Sequence, residues 1–141
     1  MIELTGDDEL KRSLSGLSLT MNNFIDQAVF ITAVKVQQNA IKSIRVPSFS
    51  GDSVKRGKKR HQISAKGQAP NTDTGRLIGS IVTDHRKGSK VAFVGTNLDY
   101  GLFLETSKNR PWLEPAREAE IKNFSLTLKK AILSAVKKAA K

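Results

Sequence analysis

Between Leu10 and Ile31 the apolar side chains fall at Leu10, Leu14, Leu17, Met21, Phe24, Ala28 and Ile31, in alternating steps of four and three. On a helix of 3.6 residues per turn that spacing draws one stripe, so the segment predicts an amphipathic helix with the stripe as its buried face. Lys35 and Gln38 interrupt the repeat, after which Val34, Ile41 and Ile44 carry a slightly rotated stripe on until Pro47 stops it. Ser13, Ser15, Gly16 and Ser18 weaken helix propensity near the start and make Gly16 the natural place for a break. Helical from residue 19 to 45, the segment spans on the order of 40 Å at about 1.5 Å per residue. A helix of that length exceeds what a small core needs. Its stripe is either intramolecular core or in part a surface that a neighbouring subunit covers.

A second helical stripe follows Pro115, with Ile121, Phe124, Leu128, Ile132, Ala135 and Val136 on one side and polar residues on the other. Pro115 suits a first helical turn. Glu114, Glu118 and Glu120 lie at the positive end of the helix dipole, and Lys129, Lys130, Lys137, Lys138 and Lys141 at the negative end. The dipole accounts for these lysines without a ligand; an acidic partner is the alternative.

Between the two long helices, in residues 70–116, the period switches within a few residues and turn formers mark each switch. Asp73 or Thr74 can cap a short helix over residues 75–81, with Leu77, Ile78 and Ile81 on one face. Residues 80–85 and 90–95 then read as strands of a hairpin, with Gly88 supplying the positive φ of the turn and Val82, Val91 and Phe93 covering one face. Asn97 or Asp99 can cap a second short helix carrying Tyr100, Phe103 and Leu104. Short helices are marginal alone. An ion pair between Arg76 and Glu105 is the expected tie between these two, with Arg110 as the next partner for Glu105.

Residues 46–69 carry Ser, Gly, Lys and Arg without a period and read as an extended basic surface loop. Lys55, Arg56, Lys58, Lys59 and Arg60 crowd it, with no aromatic interleaved for base stacking, so a nucleic-acid contact there would be made to phosphates without sequence readout. The alternatives are an acidic protein surface and a solvated loop. The whole predicts one α+β domain over residues 1–141: a long amino-terminal and a carboxy-terminal helix packed on a small antiparallel sheet, with two short helices and the basic loop between.

Charge sharpens the partner question. The 141 residues carry a formal net charge of +11, which attracts polyanions. It is unevenly spread, since Glu3, Asp7, Asp8, Glu9 and Asp26 make the first stretch acidic, and such polarity serves contact between subunits as readily as nucleic acid. Zero cysteines exclude a disulfide framework and any thiolate metal site. Residues 1–8 hold three acids and no apolar core, so they do not read as a secretory signal, and no apolar run approaches a membrane span of roughly 20 residues. The inventory for catalysis is thin: His61 and His85 have no second His or carboxylate at metal spacing, and no nucleophile elbow, zinc-protease or phosphate-loop pattern occurs. The expectation is a protein that is not an enzyme and needs no cofactor or metal.

The order of residues in this patterned stretch resembles the tail-component family of long-tailed bacteriophages, typified by the tenth gene product of a lambdoid coliphage. The likeness is carried by Thr74, Gly75, Arg76, Leu77, Ser80 and Ile81, then Val94, Gly95 and Thr96, then Tyr100 and Glu105, then Arg110, Pro111, Trp112, Leu113, Pro115 and Ala116. It covers roughly the central third of the chain. The sequence departs from the pattern at Gly101, where the family usually has Ala, at Trp112, a larger aromatic, and at Glu105-Thr106-Ser107, which lacks the usual Gly between acid and Thr. The resemblance implies a structural virion protein: a neck, head-tail connector or tail-completion component, assembled in the host cytoplasm as a ring, a hexamer by family likeness, around the DNA channel. Its implied partners are further copies of itself, neighbouring tail, neck or portal-side proteins, and the phage DNA, with no membrane. The reading from another class is a stand-alone, sequence-nonspecific DNA-binding protein.

Overall fold

The computed structural model describes residues 7–139. Glu3 of the acidic amino-terminal stretch and Lys141 of the terminal lysines lie outside the described residues. Helix α1 (Asp7–Arg45) runs unbroken for 39 residues, about 58 Å at the usual rise per residue. The break expected at Gly16 is not there. One glycine costs only about 1 kcal/mol in a helix, and the Thr20 hydroxyl donates to the Gly16 carbonyl at 2.9 Å.

After α1 come two antiparallel hairpins in place of one sheet: β1 (Ser53–Arg56) with β2 (Lys59–Gln62), and β3 (Val82–His85) with β4 (Ala92–Gly95). Short helix α2 (Arg76–Ser80) precedes the second hairpin, α3 (Asp99–Glu105) follows it, and α4 (Glu114–Ala139) closes the chain. The architecture is α+β, with the long terminal helices packed together. They run antiparallel. Asn39 of α1 donates to Glu120 near the start of α4 at 2.7 Å, while Lys138 near its end shares a surface cleft with Thr20, Asn23 and Phe24. Among the described residues no helix is long and apolar enough to cross a membrane.

The core gathers at one end of this pair. Val36, Ala40 and Ile44 of α1 meet Leu77 and Ile81 at α2 and Trp112 and Ala116 where α4 begins. The buried line on α1 therefore runs through Ala28, Ala33, Val36, Ala40 and Ile44, whereas Leu10, Leu14 and Ile31 of the expected stripe are exposed. Small residues explain the difference. Ala28, Ala33, Ala40 and, from α4, Ala135 let two backbones approach, so the interface follows alanines that a reading weighted by large side chains passes over. On α4, Ala135 is buried as expected, but Ile121 and Val136 are about half exposed.

The second hairpin forms where its sequence predicts, and Gly88 has φ 85° in its turn. Its face is the opposite of the one expected. Val82, Val91 and Phe93 point outward, with Phe93 69% exposed, while Thr83, His85, Ala92 and Val94 are the less exposed positions. Polar bonding sets this choice: Thr83 Oγ1 donates to Gln37 Oε1 at 2.9 Å, Gln37 Nε2 donates to the Ile81 carbonyl at 2.7 Å, and His85 meets Asp26. Turning the sheet over would bury the valines and leave the polar groups of α1 unpartnered.

Candidate nucleic-acid interface

The segment expected as a loop folds at its centre into the β1–β2 hairpin, which turns through Gly57 at φ 61°. The difference arises because the strand signal is spelled in basic residues: Val54, Lys55 and Arg56 pair with His61, Arg60 and Lys59. Cross-strand partners point to the same side of a hairpin and alternate along it, so the basic cluster divides into two faces. Arg56 and Lys59 share one face with Val54 and His61. Lys55 and Arg60 share the other, and Lys58 sits in the turn. Both pairs oppose like charges, an arrangement that destabilises a ladder.

Local bonds hold the hairpin in place. Asn71 anchors its base, accepting the Ser48 N–H at 2.7 Å and donating to the Ser48 and Gln62 carbonyls at 2.6 and 2.9 Å. Ile63 N–H bonds to the Asp52 carbonyl at 2.8 Å, and Gln62 Nε2 donates to the Gly51 carbonyl. Asp73 was expected to cap α2 and does not. Its Oδ2 takes Arg56 Nη1 at 2.5 Å, and its Oδ1 lies 3.8 Å from His61 Nδ1. Thr74 makes the nearest approach to a cap, with its hydroxyl 3.4 Å from the Arg76 nitrogen, and Gly75 occupies the cap position at φ 79°. Between hairpin and α2 opens a cleft of about 430 Å³ with Arg56, His61, Asp73 and Arg76 on its walls and Ile44, Leu77 and Ile78 among its apolar lining. Tyr100 also lines it.

The remaining residues of the resemblance converge on the core. Leu77 and Trp112 are buried, and Trp112 Nε1 donates to the Gly101 carbonyl at 3.1 Å. The Ser80 and Thr96 hydroxyls lie 2.5 Å apart, next to Gly95 at the end of β4. Thr96 Oγ1 also accepts the Leu98 N–H at 3.1 Å and sets up the start of α3, where Leu98 rather than Asn97 or Asp99 is the cap residue. Pro111 is half-buried beside Trp112, and Pro115 lies in the first turn of α4. Glu105 does not pair with Arg76 or Arg110. Its carboxylate takes the N–H groups of Trp112, Leu113 and Glu114 at 2.8, 3.1 and 2.9 Å, while Arg110 Nε donates to the Ser64 carbonyl at 3.0 Å. The N–H groups at a helix start have no intrahelical partner, and this one carboxylate satisfies three of them at once.

One group escaped the sequence reading. Asp26, counted there only as surface charge, is buried, with its oxygens on Gly88 N–H at 2.8 Å, Lys90 N–H at 2.9 Å and His85 Nε2 at 3.0 Å. The Gly88 N–H, assisted by Lys90 and His85, holds its carboxyl below the ordinary aspartate value against the opposing effect of desolvation. Phe30 covers the His85 ring at 5.1 Å between centroids. A signal existed: Asp26 falls on the backward extension of the Ile44, Ala40, Val36, Ala33 line, an acid on the buried side of a helix. Among the described residues no group of three or more His, Cys, Asp or Glu side chains is placed to hold a metal ion. No protein-family model, no curated protein and no solved structure matches the chain.

Proposed function

We propose that the protein is a structural component of a tailed-bacteriophage or prophage virion, a neck, head-tail connector or tail-completion protein that assembles into a ring around the DNA channel. The observation that carries this reading is the projecting start of α1. Lys138 of α4 lies level with Thr20 to Phe24, so the first dozen residues of α1 extend about 20 Å past that level, with Leu10 and Leu14, one turn apart on the same face, 58% and 56% exposed. Apolar side chains left bare on one face of a projecting helix fit burial by a second subunit. The mechanism is assembly by shape and charge, without turnover. The resemblance to phage tail components supplies the setting, and the residues that carry it act here as packing and capping groups around Trp112. In that setting Lys55, Arg56, Lys58, Lys59 and Arg60 meet DNA phosphates or an acidic neighbour at the channel wall.

Sedimentation of the protein alone over a range of concentrations, and mixed with purified phage tail tubes and heads, tests the reading. Self-association or incorporation is expected; a strict monomer that joins neither tails nor heads contradicts it. The like-charged pairs Lys55–Arg60 and Arg56–Lys59 favour one second reading, a stand-alone sequence-nonspecific DNA-binding protein. A monomer that binds any duplex with a steep salt dependence selects it.

A further inference from the structure

We propose that the cleft between the β1–β2 hairpin and α2 is a phosphate site, in which Arg56, His61 and Arg76 hold one backbone phosphodiester of a nucleic acid and Asp73 competes with it for Arg56. This rests on the reading of the hairpin as a DNA contact and goes beyond it by dividing the basic cluster: one face grips a phosphate in a defined pocket, and Lys55 and Arg60 on the other face do not.

Four observations meet at this place. The hairpin face that carries Arg56 and His61 lines the cleft, and α2 adds Arg76 to the same lining, so cations from two elements border one space. Arg56 is 64% exposed and bound to a carboxylate 37% exposed, so the bond between them is open to exchange for another anion. The cleft, at about 430 Å³, exceeds a phosphate and admits its sugar, which Leu77, Ile78 and the Tyr100 ring can meet. Finally, two polar groups of the lining are already committed to the protein itself. The Asn71 amide is bonded through both its oxygen and its nitrogen, and the Thr72 hydroxyl donates to the Ile44 carbonyl at 3.0 Å. Contacts to a phosphate carry no base information, so a site that holds the phosphodiester does not select sequence. An anion there also relieves the opposition of Arg56 to Lys59, so binding and hairpin order rise together.

The experiment measures anisotropy of two labelled DNA duplexes of unrelated sequence with the full chain and four variants. Asp73→Asn frees Arg56 and is expected to tighten binding to both duplexes about three- to tenfold. Asp52→Asn, an equal change of charge at the hairpin base but outside the cleft, is expected to change it less than about twofold. Arg76→Gln is expected to weaken binding about tenfold and lower the salt slope by about 0.9, whereas Arg60→Gln has a clearly smaller effect. Amide exchange in β1 and β2 confirms that each variant keeps the hairpin. Equal responses to Asp73→Asn and Asp52→Asn, or to Arg76→Gln and Arg60→Gln, overturn the pocket in favour of a diffuse patch. A polyglutamate peptide that binds as tightly and responds alike to the variants overturns phosphate in favour of an acidic protein surface. Absence of duplex binding overturns the inference while sedimentation still decides the ring; a monomer that shows the expected variant pattern keeps the inference and removes the ring.

Discussion

The Glu105 carboxylate accepts the backbone N–H of Trp112 at 2.8 Å, tying the end of α3 to the start of α4. With the N–H groups of Leu113 and Glu114 on the same carboxylate, one side chain serves three donors at a helix start. Glu105→Ala is expected to destabilise the fold by about 1 to 2 kcal/mol in urea unfolding. Arg76→Ala, on an exposed side chain, should stay within about 0.5 kcal/mol, and the double variant should be additive. A coupling above that size would show an interaction between Arg76 and Glu105 that the capping geometry excludes.

Asp26 plays a corresponding part for the second hairpin. Its carboxyl lies below the ordinary aspartate value, held there first by Gly88 N–H. A depressed acid stabilises the fold above its unfolded pKa of about 3.9, and that contribution disappears as the pH falls through the lower folded value. Acid titration of stability should thus be shallower below about pH 4 in Asp26→Asn than in the parent. Amide exchange at Gly88 and Lys90 should accelerate in the variant at neutral pH. An unchanged acid limb would count against the arrangement.

Gly101 is buried where a side chain has no room. A Cβ there would lie 2.6 Å from Thr96 Cγ2 and 3.2 Å from Leu77 Cδ1, and Thr96 is fixed by its bonds to Ser80 and Leu98. Gly101→Ala should cost about 1 to 3 kcal/mol. Thr96→Ser removes the clashing methyl but keeps the hydroxyl, so the pair should recover most of the loss. Trp112 Cζ2, at 3.6 Å, is in ordinary contact with that Cβ, and Trp112→Phe should not rescue.

The α+β class, the two long helices, both short helices and the Gly88 hairpin were legible because each rests on local spacing and turn chemistry. What escaped was decided by partners distant in sequence. Asp26 and His85 are 59 residues apart, and nothing near either names the other. The outward face of β3–β4 was misread because Val82, Val91 and Phe93 announce burial more loudly than Thr83 and His85, whose bonds to α1 fix the orientation. The β1–β2 strands were hidden by composition: lysine and arginine at strand positions look like a solvated loop until Asn71 and Asp73 supply the anchors. Arg56 was a candidate contact in either picture, while Asp73 and His61 joined it only once the hairpin was folded.

Sedimentation velocity over a wide concentration range, comparing the parent with Leu10→Gln/Leu14→Gln, tests assembly through α1 most directly. These leucines are already exposed, so the double variant should unfold within about 0.5 kcal/mol per site of the parent. The account predicts concentration-dependent association of the parent, and a variant that stays monomeric and fails to join tail tubes. A parent that remains a monomer alone and with tails, or a variant that assembles as the parent does, would contradict it.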